Sequence, residues 1–399
     1  MARRPKEIEE EDPEAGRPPD ADRLEGVLHP RETLRVLGHE RAERAFLAAW
    51  NAQRPHHAWL LRGPPGIGKA CFAYRLARFL LSHPPDEGGL LGMTAEPDTA
   101  ASEAAETLDV PTLGSAARQI AAGSHPGLIE LRRPWDEKTK RFRKEIGVAQ
   151  VRKLLDFFQM SAADGGWRVA IVDPADDLNT AAANALLKML EEPPERSIFL
   201  LVTHAPGRLL ATIRSRARAL DLMPLPGNLS ALAMAEACEE LDAAYAAKLD
   251  TLSPGSPGEA LRLHRVGGLK AYGEILGLLK GLPQIDRQVL ARLSSATAKD
   301  GADGMASTSR LLRLALERLA RTGALGTLPE NPVDGEGEML RRLAPTLAAG
   351  RAWAEAAAEV SDAASSSAQG LPSDVFEVMR DVEQGSAGVQ VEALRAIEA

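Results

Sequence analysis

Ala58-Trp59-Leu60-Leu61-Arg62 is a short apolar run that leads, without a spacer, into Gly63-Pro64-Pro65-Gly66-Ile67-Gly68-Lys69-Ala70. From Cys71 to Leu81 apolar residues return at helical spacing. Strand, glycine-rich turn and helix in that order are the context that a phosphate-binding loop needs. The glycines let backbone N–H groups face a common point at the start of a helix, where the helix dipole also favours anions. The spacing is G-x-x-x-x-G-K, which cradles phosphates, with Lys69 reaching the outer ones. The pattern fails at its last letter. A Ser or Thr after the lysine would hold Mg²⁺ on a nucleotide, and Ala70 offers only a methyl group.

The rest of the first half alternates strands and helices. Gly127 to Leu131, Trp167 to Asp173 and Ser197 to Thr203 are apolar strand-like runs. Leu34 to Trp50, Ile146 to Met160 and Ala181 to Leu190 carry helical spacing. This alternation predicts a parallel sheet with helices on both faces. The stretch from His83 to Ser124 is rich in Pro, Gly, Ala and Ser and predicts a surface insertion with one short helix near Leu113 to Ala121. Residues 1–26 are charged and Pro-rich and predict a disordered tail. Asp136 to Lys144 is a charge run holding Lys138, Lys140, Arg141, Arg143 and Lys144, which faces DNA, a partner or solvent. Beyond Met223 strand signals end. Helices are predicted over Leu229 to Leu249, Gly258 to Arg265 and from Val266 onward, with breaks at Lys299 to Gly301, Leu328 to Gly337 and Ser365 to Pro372.

Composition narrows the partners. The net charge is -8, so a chain binding DNA chiefly through its own basic face is not expected. Aromatic content of 4% predicts cores built from Ala and Leu, which favours helices. The two cysteines, Cys71 and Cys238, form no Cys-x-x-Cys pair, which argues against zinc and fits a reducing, cytoplasmic setting. No apolar run reaches the length of a membrane span, and no signal peptide or membrane contact is expected.

Two further stretches carry a resemblance. One is Asn179 to Pro194, with the core Ala183-Asn184-Ala185-Leu186-Leu187-Lys188-Met189-Leu190-Glu191-Glu192-Pro193-Pro194; the other is Leu209 to Arg218, with Arg214-Ser215-Arg216-Ala217-Arg218. Together with the phosphate loop and the strand ending in Asp173, they resemble the clamp-loader subunits of bacterial DNA polymerase III, a family of AAA+ proteins. The resemblance is clear from about Val36 to Leu222, touches Ser253 to Leu263, and beyond that is only helical character.

The resemblance implies a fold of α/β then all-α type. A RecA-like AAA+ domain would span 27–222, a small helical lid 223–265 and a helical collar 266–399. It implies that Asp173 orients Mg²⁺, that Thr203 is a sensor at the end of its strand, and that Ser215 and Arg216 serve a neighbouring subunit, Arg216 as an arginine finger. Three catalytic positions depart from the family pattern: Ala70 replaces a hydroxyl, Pro174 the glutamate that polarises water, and Gly258 the arginine of the Gly255 to Leu261 stretch. Ala217 stands in place of the Cys of Ser-Arg-Cys. The four-cysteine zinc module of many members is replaced by the 83–124 insertion.

The implied protein is therefore a non-hydrolysing scaffold within a hetero-pentameric ring of gamma/tau and delta subunits. Such a ring loads the sliding clamp on primed DNA, with DNA touched indirectly and no polymerase chemistry in this chain. ATP would be bound weakly and left uncleaved, Mg²⁺ would enter only with nucleotide, and zinc would be absent. The alternative is an active gamma/tau-type ATPase motor of the same assembly. The intact glycines and Lys69 favour that alternative; the three altered positions and the lack of a long extension past the collar oppose it.

Overall fold

The computed structural model describes residues 23–83, 104–111, 114–159, 166–282, 284, 286–299 and 301–366. Much of the predicted tail, the middle of the insertion and the break after Ser365 lie outside those residues. The chain divides into two compact units. One holds Met1–Gly63 with Lys69–Leu222, the other Pro64–Gly68 with Met223–Ala399.

In the first unit, helix α1 (Glu40–Asn51) precedes strand β1 (Ala58–Arg62), and helix α2 (Lys69–Ser82) follows the loop. Helix α3 (Ser115–Ala121), strands β2 (Leu128–Leu131), β3 (Trp135–Asp136) and β4 (Arg141–Phe142), and helix α4 (Val148–Gln159) come next. Strand β5 (Arg168–Val172), helix α5 (Thr180–Glu191), strand β6 (Ser197–Thr203), helix α6 (Ala211–Arg216) and strand β7 (Arg218–Asp221) complete it. The five long strands form one sheet in the order β2-β5-β6-β1-β7. Their pairings are all parallel. Every residue of β5 and β6 is buried, as expected for strands covered by helices on both faces. Helix α5 starts on Asn179, whose side chain accepts the Ala182 N–H at 3.0 Å, a cap of the kind worth about 1 kcal/mol.

Several predicted boundaries move. The first helix begins at Glu40, because Gly38 takes a left-handed turn (φ 75°) that no helix continues. The insertion is not purely superficial: Leu108 and Ile120 are 1% and 0% exposed, and Asp109 pairs with Arg75 at 2.9 Å. The charge run is a β-hairpin, β3 paired antiparallel with β4. Strand β7 has no strong apolar signature, since only Leu220 of its residues is buried.

The second unit is helical apart from its loop segment. Its helices are α7 (Gly227–Ala237), α8 (Ala243–Asp250), α9 (Pro257–Arg265), α10 (Gly268–Gly281), α11 (Arg287–Lys299), α12 (Gly301–Leu325), α13 (Glu336–Leu343) and α14 (Leu347–Ser366). The single helix expected over Leu229 to Leu249 is two. Helix α7 stops at Ala237, and Asp242 starts α8 by accepting the Tyr245 N–H at 2.7 Å. One core joins Leu252 and Leu263 to Tyr272, Leu276, Leu316, Leu340 and Trp353. Helices α12 and α14 approach so closely that a Cβ on Gly323 would lie 2.6 Å from the Gly350 Cα.

Within that core sits a polar cluster. Arg318 donates to both carboxylate oxygens of Glu336, at 2.9 and 2.8 Å, and to the Thr251 carbonyl. The Tyr272 hydroxyl donates to Glu336 at 2.5 Å and the Val333 N–H at 2.8 Å. Glu336 is fully buried. Burial, with Glu336 alongside, pushes the Tyr272 phenol well above its ordinary range.

Candidate functional site

Parallel strands bring their carboxyl ends to one edge of a sheet, and that edge is where α/β folds place ligands. In the first unit Gly63 directly follows β1, Asp173 directly follows β5, and β6 ends at Thr203. Register places Arg62 beside Thr203 and Val172 beside Leu201. Three of the residues singled out in the sequence are thus neighbours at one edge.

Lys69 opens α2 there. It is 3% exposed, and its ammonium donates to the Gly63 carbonyl at 2.7 Å. Burial pushes its pKa down to about 8, against the upward pull of Asp173 and Asp176. An ammonium that has lost its hydration gains from an anion brought beside it.

Asp176 is a residue that sequence reasoning missed. Thr203, 0% exposed, donates its hydroxyl to Asp176 Oδ1 at 2.5 Å. Asp176 Oδ2 accepts the His204 and Ala205 N–H groups at 2.5 and 3.2 Å. The proposed sensor threonine is therefore tied to a carboxylate three residues beyond Asp173. The signal was present as a second acid after the strand, but only the tertiary contact gives it a partner. Pro174 lies between the acids and has no proton-accepting side chain.

Ser215 and Arg216 lie in the last turn of α6. Arg216 pairs with Glu191, at the end of α5, at 2.8 Å, and both side chains are more than a third exposed. Arg216 also donates to the Thr212 carbonyl at 3.1 Å, as does the Ser215 hydroxyl at 3.0 Å. The fold does not bring Arg216 to Lys69 by any contact among the described residues.

Pro64 to Gly68 belong to the second unit, and their partners there lie at the start of α9. The Ser256 hydroxyl donates to the Pro65 carbonyl at 2.6 Å. The Gly258 N–H donates to the Gly66 carbonyl at 2.8 Å. Gly66 has φ 75°, and a Cβ on it would lie 2.5 Å from the Glu259 backbone nitrogen. A Cβ on Gly258 would lie 3.0 Å from the Gly66 oxygen. Two glycines thus allow the loop and the helix start to touch backbone to backbone. Ile67 is buried, while Ala70, the second residue of α2, is half-buried. No group of His, Cys, Asp and Glu suited to a metal ion occurs among the described residues. No helix among them is long and apolar enough to cross a membrane.

A five-stranded parallel sheet in this order, with a G-x-x-x-x-G-K loop after β1 and an acid after β5, defines a RecA-like AAA+ domain followed by helices. Comparison with known proteins narrows the class. A family model described as DNA polymerase III, delta subunit, matches residues 38–226. DNA polymerase III subunit delta' of Pseudomonas aeruginosa is 35% identical over 236 residues, covering 59% of this chain and 63% of that protein. The Escherichia coli K12 subunit delta' is 36% identical over 219 residues, covering 55% and 57%. The gamma/tau subunit of Mycobacterium tuberculosis H37Rv is 29% identical over 362 residues, covering 88% and 54%. The match thus spans less than two thirds of each relative's length. Over this part of its length the chain is similar to DNA polymerase III subunits of the delta and delta-prime types.

Proposed function

We propose that this chain is a delta-prime scaffold of a clamp loader, silent at its own nucleotide site and supplying Arg216 to the site of a neighbouring ATPase subunit. The observation that carries the reading is the Gly258 N–H bonded to the Gly66 carbonyl. A position where the hydrolysing members of the family hold an arginine is here a glycine packed on the loop itself. Ala70 supplies no oxygen for Mg²⁺, and Pro174 supplies no base. The Thr203 hydroxyl is already bonded to Asp176. Arg216, by contrast, is exposed enough to reach a second chain. ATP bound at Gly63 to Ala70 would be held by Lys69 and the loop N–H groups, weakly and without turnover. Its Mg²⁺ would have Asp173 as the one protein acid supplied by the motif.

The partners that follow are gamma/tau and delta subunits in a five-membered ring, the sliding clamp and primed DNA. The collar 266–399 would be the part that holds the ring together, with the lid 223–265 between it and the AAA+ domain. The test is steady-state ATPase of the reconstituted assembly with clamp and primed DNA, comparing wild type, Lys69→Ala and Arg216→Ala in this subunit. The scaffold reading expects a fall with Arg216→Ala alone. A comparable fall with Lys69→Ala would revive the motor reading.

A further inference from the structure

The hairpin β3–β4 is used by none of this chemistry. It concentrates charge in an otherwise acidic protein: from Arg132 to Glu145 there are seven cations and three acids, against a net charge of -8 for the whole chain. Two of its three acids are engaged locally. Glu137 pairs with Lys140 at 2.9 Å, and Asp136 pairs with Arg143 at 3.4 Å. Asp136 also accepts the Lys138 and Thr139 N–H groups, at 3.0 and 3.2 Å, which closes the turn and holds its carboxyl below the ordinary range. Lys138, Arg141 and Lys144 are exposed, with no acid within ion-pair distance among the described residues. Two aromatic rings join them. Trp135 and Phe142 face each other across the strands, centroids 5.0 Å apart and edge to face, each half-buried.

The hairpin is also anchored. Arg133 pairs with Asp177 at 3.1 Å, and the Ile146 N–H donates to the Asp177 carbonyl at 2.7 Å. Its base is thereby fixed to the turn that carries Asp176. A fixed basic tip with an aromatic pair differs from a solvated charge run, which would have neither rings nor anchors.

We propose that this hairpin is a binding site for a single nucleic-acid strand. Lys138, Arg141 and Lys144 hold successive phosphates, and Trp135 stacks against an unpaired base. Cations that track a backbone, interleaved with an aromatic platform, are the two elements of single-strand recognition. An acidic protein surface would use the cations but has no need of the indole. Strands of two residues are too short to add a partner's strand by backbone pairing. The site requires neither nucleotide nor partner subunits, so its failure is separable from failure of the scaffold reading.

The test is fluorescence anisotropy of a labelled thymidine 20-mer with the full chain between 50 and 200 mM salt. Each phosphate contact on a single strand contributes about 0.7 to the salt slope. The triple variant Lys138→Ala, Arg141→Ala, Lys144→Ala is expected to lose at least tenfold in affinity and about 2 in slope. Trp135→Ala should weaken binding at unchanged slope, with Trp135→Phe retaining it; equal thermal melts certify the fold of each variant. Absence of wild-type binding, an unchanged slope in the triple variant, or equal competition by polyglutamate would overturn the proposal, the last pointing to an acidic protein surface.

Discussion

Gly258 donates its backbone N–H to the carbonyl of Gly66 at 2.8 Å, so the start of helix α9 rests directly on the glycine-rich loop. A Cβ at Gly258 would sit 3.0 Å from that oxygen and 3.1 Å from the Gly66 Cα. A side chain at Gly258 therefore obliges the Gly66 backbone to give by a few tenths of an ångström, and Gly258→Arg should weaken the bond, at a cost of about 1–2 kcal/mol. We expect a matching loss in urea-unfolding free energy and a rise in affinity for a fluorescent ATP analogue, as the loop carbonyls and N–H groups are freed. Turnover should stay at background, because Ala70 and Pro174 are unchanged. Lost stability with unaltered nucleotide affinity would reduce the contact to packing.

Lys69 gives a pH signature. Burial lowers its pKa from 10.5 to about 8. Between those values the unfolded chain keeps a proton that the folded chain gives up, so stability contributed through Lys69 rises as pH rises through that window. Below about 8 both states are protonated and the full cost of burying the ammonium is present. Lys69→Met removes that cost and the hydrogen bond to Gly63, for a net gain on the order of 2 kcal/mol at pH 7. The advantage of the variant should shrink as pH rises from 8 and reverse near pH 10.5, where only the lost hydrogen bond to Gly63 remains. A difference independent of pH would contradict a depressed lysine.

The elements that read clearly from sequence are those whose burial is local and complete. Strand β6 is buried at all its residues, and the loop after β1 announces itself by spacing. Strand β7 was invisible because its pattern is set by pairing with β1, through Trp59 to Arg218 and Leu61 to Leu220, rather than by its own hydrophobicity. The hairpin hid inside a charge run, where Lys140 at φ 51° turns the chain and the ring pair closes it. Asp176 acquires meaning only through Thr203, 27 residues away in sequence. Helices α7 and α8 separate at Asp242, whose side chain accepts the Tyr245 N–H, a local cap that apolar spacing over Leu229 to Leu249 does not reveal.

The helical unit offers a stability test independent of function. Glu336 is fully buried and satisfies Arg318, Tyr272 and the Val333 N–H together. Removing one member of such a pair strands the other charge without solvent. Glu336→Ala should cost about 3–5 kcal/mol, read by chemical denaturation. Arg318→Met with Glu336→Leu should cost less than Glu336→Ala alone, since no charge is left unpaired. A smaller effect of the single change would place water beside Arg318.

The Arg216–Glu191 pair makes the finger proposal quantitative. The two side chains meet at 2.8 Å while remaining more than a third exposed. An exposed pair of this kind is worth about 0–1 kcal/mol, so it orients Arg216 without holding it. Glu191→Ala should leave the fold intact and change assembly ATPase less than threefold, a factor corresponding to about 0.7 kcal/mol at room temperature. Arg216→Ala should lower turnover far more, because it removes charge that stabilises the transferring phosphoryl group. Arg216→Lys should fail to restore it, since an ammonium lacks the planar fork of donors. Restoration by lysine would assign Arg216 a role of charge alone. Loss of the ring in Arg216→Ala, read by gel filtration, would instead make the residue part of the interface.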